Sequence, residues 1–111
     1  AYMAGELKHG PIALIEKDTV VIALATQPSV AQKTISNILE TVARGAKVIL
    51  IASQSQNTEG FEYVIRIPDV DPLLSCIPAT VLLQELAYYV AKEKGCDVDK
   101  PRNLAKSVTV E

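Results

Sequence analysis

Thr19-Val20-Val21-Ile22-Ala23-Leu24-Ala25 decides how this chain is read. The run is continuously apolar and β-branched at its start. Such a run reads as a strand buried on both faces, and strands of that kind belong to parallel sheets flanked by helices. Lys47-Val48-Ile49-Leu50-Ile51-Ala52 repeats the pattern and predicts a second buried strand. Tyr63-Val64-Ile65-Arg66-Ile67 predicts a third. It is shorter and carries a charge at Arg66, which suits a peripheral place in the sheet.

Outward from the first strand, Thr26-Gln27-Pro28 ends it, and Ser29 with Gln32 has the spacing of a capping box. Apolar residues at Ala31, Ile35, Ile38, Leu39 and Val42 give helical periodicity over 30–44, and Gly45 is a natural stop. Residues 53–60 form a polar loop, expected to be solvated. Pro68-Asp69-Val70-Asp71-Pro72 is turn chemistry, with Asp71 placed to cap a helix that has Pro72 at its first position. Residues 73–94 read as mostly helical. Pro78 predicts a kink or a one-turn piece before a main helix over 80–94. That helix is apolar nearly all round until Lys92-Glu93-Lys94, so it is expected to be buried on more than one side, by the sheet and by another subunit or domain, before Gly95 stops it. Upstream, the Gly10-Pro11 pair predicts a turn or loop over 6–10, then a short helix or extended piece through Ile15.

Strand, helix, strand, strand, helix is the order of an α/β fold: a three-layer αβα domain with a mainly parallel sheet. Three strands are few for such a sheet, so further strands are expected before residue 1, and the domain reads as truncated at its N-terminal side.

The 111 residues suffice for one domain; 49% are apolar and 22% charged, which favours a packed core over disorder. The formal charge is −2 with scattered basic residues, so no nucleic-acid or anionic-membrane partner is expected. Residues 1–10 have no apolar signal-peptide core, and the apolar stretches read as short of the ~20 residues that span a membrane. Cys76 lies in an apolar run and reads as a small core residue; Cys96 follows the helix stop. No CxxC spacing suggests a metal, and two reduced thiols suit a cytoplasmic protein.

The candidate chemistry sits at the two ends. An ordinary lysine has a pKa of about 10.4, so roughly one in 2,500 is neutral at pH 7, and a nucleophilic lysine must be desolvated or placed beside other cations. Lys106 lies between Ala105 and Ser107, with Leu104 and Val108 beyond and Arg102 four residues away. That setting permits a depressed pKa without requiring one, and from these residues alone a surface lysine pairing with Asp97, Asp99 or Glu111 is the default reading. His9 is the one histidine, suited to proton transfer near neutrality or to a plain loop hydrogen bond. Glu6 and Lys8 flank it and could pair with each other. Ser53, Ser55 and Thr58 follow a strand's C-terminal end, where α/β sheets bind ligands and hydroxyls hold phosphate. Arg102 reads best as anchoring the tail. No GxGxxG, P-loop, HExxH or GxSxG motif is present, and no cofactor or metal is implied.

The tail Asp97-Val98-Asp99-Lys100-Pro101-Arg102-Asn103-Leu104-Ala105-Lys106-Ser107-Val108-Thr109-Val110-Glu111 is similar, nearly residue for residue, to the C-terminus of the glutamine:fructose-6-phosphate amidotransferases. Ala1-Tyr2-Met3-Ala4-Gly5-Glu6-Leu7-Lys8-His9-Gly10-Pro11 resembles the same family's histidine-bearing loop, so the resemblance covers essentially the whole chain. It implies that residues 1–101 are the C-terminal portion of a SIS (sugar isomerase) domain and 102–111 a tail closing over the sugar site. It further implies that Lys106 forms a Schiff base with open-chain fructose 6-phosphate and that His9 assists ring opening, reaching the neighbouring subunit's site. Ala105 would lie at the substrate pocket's wall. The sugar phosphate and a second subunit are the implied partners. The family's proton-shuttling glutamate and phosphate-binding hydroxyls lie upstream, so residues 1–111 alone are expected to be inactive. The alternative is a non-catalytic SIS-type module that binds a phosphosugar or serves oligomerisation.

Overall fold

The computed structural model describes residues 1–102. They fall into two compact units, Ala1–Ala79 and a second beginning at Thr80. The first unit holds three parallel strands in the order β1 (Val20–Ala25), β2 (Lys47–Ser53), β3 (Tyr63–Ile67). Val20 pairs with Lys47 and Ala25 with Ala52, while Ile49 pairs with Tyr63 and Ser53 with Ile67. The α/β class with a parallel sheet is therefore observed, and β3 lies at an edge as its charge suggested.

Helix α1 (Pro28–Val42) is the crossover that a parallel pair requires. Its apolar stripe meets one face of the sheet. Ala23 and Ala25 of β1 and Val48, Leu50 and Ala52 of β2 cluster with Ala31 and Ile38 of α1. Leu50 is wholly buried at the centre. The alanines on both sides let helix and sheet approach closely, so the core is thin and any void is felt at once.

The opposite face of β1 departs from expectation. Val20, Ile22 and Leu24 are 64%, 45% and 44% exposed, so β1 is not buried on both faces. Alternate residues of a strand point to opposite faces, and α1 covers only Val21, Ala23 and Ala25. On β2 and β3 the second face is better covered, with Ile51 and Ile67 almost fully buried.

The helix boundaries also shift for identifiable reasons. The capping box at Ser29 and Gln32 does not form. The helix starts at Pro28, whose fixed φ suits the first helical position, and Gln27 is the cap residue with no side-chain cap bond. The Gln27 amide instead donates to the Pro72 carbonyl and to Ser75 Oγ, at 2.7 and 2.9 Å. At the far end, Gly45 has φ +89, and a Cβ there would lie 3.3 Å from the Lys17 Cα. The Asp18 amide donates to the Gly45 carbonyl and the Lys47 amide to the Thr19 carbonyl, which ties the entrances of β1 and β2 together.

A 3-10 helix, Ala4–His9, replaces the loop expected over 6–10, and a second, Pro11–Leu14, is the short helical piece expected after it. The Gly10-Pro11 break falls where the sequence put it, but the residues before it coil because Leu7 buries into the core cluster. Downstream, Asp71 caps the one-turn helix Pro72–Leu74, its carboxylate accepting from the Leu73 amide at 2.9 Å. Helix α2 then runs Cys76–Glu93. It starts ahead of Pro78 rather than after it, because a proline within the first turn removes a donor that had no partner there.

On α2, Ile77, Val81, Tyr88, Tyr89 and Val90 are exposed among the described residues, on a helix for which cover from another subunit or domain was expected. Cys76, read as a core residue, is exposed too, as is Cys96. The helical stretch Pro72–Glu93 is 22 residues long and contains an 18-residue window of mean hydropathy 1.4, enough by length and composition alone to cross a membrane. This corrects the expectation that no stretch reaches that length.

Candidate functional site

His9 ends the first 3-10 helix and is exposed. Three features place it. Leu7, two residues earlier, is buried in the core cluster. Lys8 reaches across to α1, its ammonium 2.6 Å from the Glu40 carboxylate. Gly10 follows with φ +146, a conformation that side-chain-bearing residues rarely adopt, and the chain turns sharply away. The suggested Glu6–Lys8 pair is replaced by the Lys8–Glu40 pair. A 3-10 helix turns by about a third of a circle per residue, so Glu6 and Lys8 point apart.

A second polar cluster lies at the C-terminal ends of the strands. A cavity of about 170 Å³ there is lined by Thr26, Ser53, Ser55, Asp69 and Ser75 among others. Asp69 accepts from both the amide and the hydroxyl of Ser55, at 3.3 and 3.0 Å. Ser53 is buried, and its hydroxyl has no hydrogen-bond partner among the described residues. The loop over 54–60 is exposed but not loosely held. Arg66 of β3 donates to the carbonyls of Ser53 and Gln56 at 2.8 Å each, to that of Gln54 at 3.4 Å, and to Thr58 Oγ1 at 2.6 Å. The guanidinium's rigid fork of donors suits this convergence. Arg66 and Asp69 were not singled out as site residues by the sequence. The one available signal was a charge inside a strand that directly follows a polar loop.

In the second unit, Tyr88, Cys96, Asp97, Lys100 and Arg102 line a cleft of about 770 Å³. Asp97 accepts from the amides of Asp99 and Lys100, both at 3.0 Å, and so shapes the turn that leads to Arg102. Lys106 and Ala105 lie outside the described residues, as does Asn103. Among the described residues no group of three or more His, Cys, Asp or Glu side chains is placed to hold a metal ion.

A parallel sheet with its crossover helix and a polar cluster at the strand ends defines an α/β domain. Residues 1–90 match the SIS domain family, and the chain belongs to it. The individual relatives narrow the comparison. The chain is 57% identical over 113 residues to the glutamine–fructose-6-phosphate aminotransferase (isomerizing) of Clostridium acetobutylicum. It is 60% identical over 117 residues to that of Clostridium tetani. Each match covers 100% of this chain, and the chain spans 19% of the length of either relative. Among solved structures, the C-terminal domain of the glucosamine-fructose-6-phosphate aminotransferase from Francisella tularensis superposes with a TM-score of 0.80 at 36% identity. That match covers 90% of this chain and 29% of the other.

Proposed function

We propose that this chain is the C-terminal part of the sugar-isomerising domain of a glutamine–fructose-6-phosphate aminotransferase. The parent reaction converts fructose 6-phosphate and glutamine to glucosamine 6-phosphate and glutamate. The observation that carries the reading is identity of 50% or more, sustained along the full chain, to relatives bearing that one name.

In this reading each end of the chain supplies one catalytic group. His9 moves a proton between the ring oxygen and the anomeric hydroxyl, so that cyclic fructose 6-phosphate opens. An exposed imidazole on a braced turn suits that task, since it must present its nitrogens to a ligand rather than to its own backbone. Lys106 then attacks the C2 carbonyl as the free amine; water leaves and an imine forms. The tail over 102–111 closes on the sugar, with Ala105 at the pocket wall. His9 acts in the site of a second copy, so the working form is a homodimer. The exposed apolar residues of α2 are then covered by protein rather than by lipid, in keeping with a cytoplasmic metabolic enzyme.

Residues 1–111 alone are expected to turn over little or no fructose 6-phosphate. A hybrid tests the assignment. The matching 113 residues of the Clostridium acetobutylicum enzyme are replaced by this chain. The hybrid is expected to form glucosamine 6-phosphate at a rate within about tenfold of the unaltered enzyme. A hybrid that folds and dimerises but makes no product would overturn the proposal.

A further inference from the structure

We infer that Glu40 is a positioning residue for His9, acting through Lys8. The inference rests on the ring-opening role proposed above. The helix that carries His9 has little to hold it by itself. It is a six-residue 3-10 helix whose cap residue, Met3, makes no side-chain cap bond. Helices of this type have strained hydrogen bonds and rarely persist without tertiary support.

The support comes from Ala4 and Leu7 on one face and Lys8 on the next, and their geometry fixes where His9 points. With three residues per turn, Leu7, Lys8 and His9 lie on three faces about 120° apart. Leu7 faces the core cluster. Lys8 faces the flank of α1 and meets Glu40 at 2.6 Å. His9 is left on the third, open face. Ala4 and Leu7 form an apolar strip along one face only, and a short helix held on one face can still rock about that strip. A second attachment a third of a turn away stops the rocking, and stopping it sets the direction of the imidazole.

The placement of Glu40 argues that the pair does more than stabilise. It lies in the last turn of α1, where the helix dipole disfavours an acid. Both partners are about half exposed, a setting in which an ion pair adds little to folding. What the pair does supply is orientation of the residue next to Lys8.

The test is made in the full-length aminotransferase carrying this segment, with synthase turnover and thermal unfolding read together. Lys8→Glu and Glu40→Lys are each expected to lower kcat by about three- to tenfold, with KM for fructose 6-phosphate moving less. The double swap K8E/E40K is expected to recover most of the loss. In a His9→Asn background neither single change should slow the enzyme further, because there is no imidazole left to misplace. Glu40→Gln gives a milder check should a charge reversal lower Tm by more than a few degrees. Unchanged turnover in both single variants would overturn the inference, as would losses of equal size in the His9→Asn background or a double swap no better than either single change. If His9→Asn itself leaves turnover unchanged, the ring-opening reading fails and this inference falls with it.

Discussion

Arg66 shows how much a single side chain can organise. Its guanidinium gathers three carbonyls and one hydroxyl from the loop between β2 and β3. Arg66→Ala would leave the Ser53 and Gln56 carbonyls without that donor, and hydrogen bonds to charged groups are worth about 1.5–3 kcal/mol each when formed. Because the site is partly exposed, a net loss of about 2 kcal/mol is expected, read as a Tm drop of about 8–16 °C. Arg66→Lys should recover only part of it, since an ammonium lacks the planar fork. Gly45 makes a second residue-scale case. Gly45→Ala combines φ +89 with a Cβ 3.3 Å from the Lys17 backbone, and about 1–2 kcal/mol of destabilisation by denaturant titration is expected. The Lys47–Asp18 pair, at 2.9 Å, gives a pH prediction. The hydrogen bond and charge of Asp18 hold the Lys47 ammonium above the ordinary lysine pKa. The contribution of this pair is therefore fully present below about pH 10.4 and is lost as pH rises through the raised value. Glu62 raises the Tyr63 pKa, which acts in the same direction. Melting curves from pH 8 to 11.5 should show a steeper loss in the unaltered chain than in Asp18→Asn, which keeps the Tyr63 effect and removes that of Lys47.

At the scale of elements, the strands were the most legible part of the sequence. Val20 to Ala25 and Val48 to Ala52 are continuous apolar runs, and a run of that kind has few other stable uses. The first 3-10 helix was not legible. Its formation depends on Ala4 and Leu7 finding the core, a tertiary contact that no local pattern records. The capping box failed because Pro28, one residue before Ser29, is the stronger start signal. The role of Arg66 was half legible: its charge pointed to an edge strand but not to the loop it gathers. The exposed residues of β1 lead to an element-scale prediction. An open strand edge beside Val20, Ile22 and Leu24 is a surface for self-association. Sedimentation of residues 1–111 should show oligomers at micromolar concentration, and Ile22→Lys should shift them toward monomer. A chain that sediments as a monomer with or without that change would count against it.

For the molecule as a whole, the fold and the proposed chemistry come from different parts of the chain. The α/β class is carried by residues 19–94 through periodicity and turn chemistry alone. The proposed catalytic residues stand near the ends, His9 in a stretch whose Leu7 joins the core and Lys106 outside the described residues. Neither residue is chemically distinctive by type: an exposed histidine and a lysine near a carboxyl terminus are common surface features. Similarity along the whole length to the aminotransferases turns them into candidates, and the braced turn beside Glu40 gives one of them a defined setting. Lys106 is the residue proposed to hold the sugar, and reductive trapping tests that most directly. The full-length protein carrying this segment is incubated with fructose 6-phosphate and borohydride, and adducts are mapped by peptide mass spectrometry. A single predominant adduct on Lys106 is predicted. Equal labelling of Lys47, Lys92 and Lys106, or an adduct confined to another lysine, would contradict it.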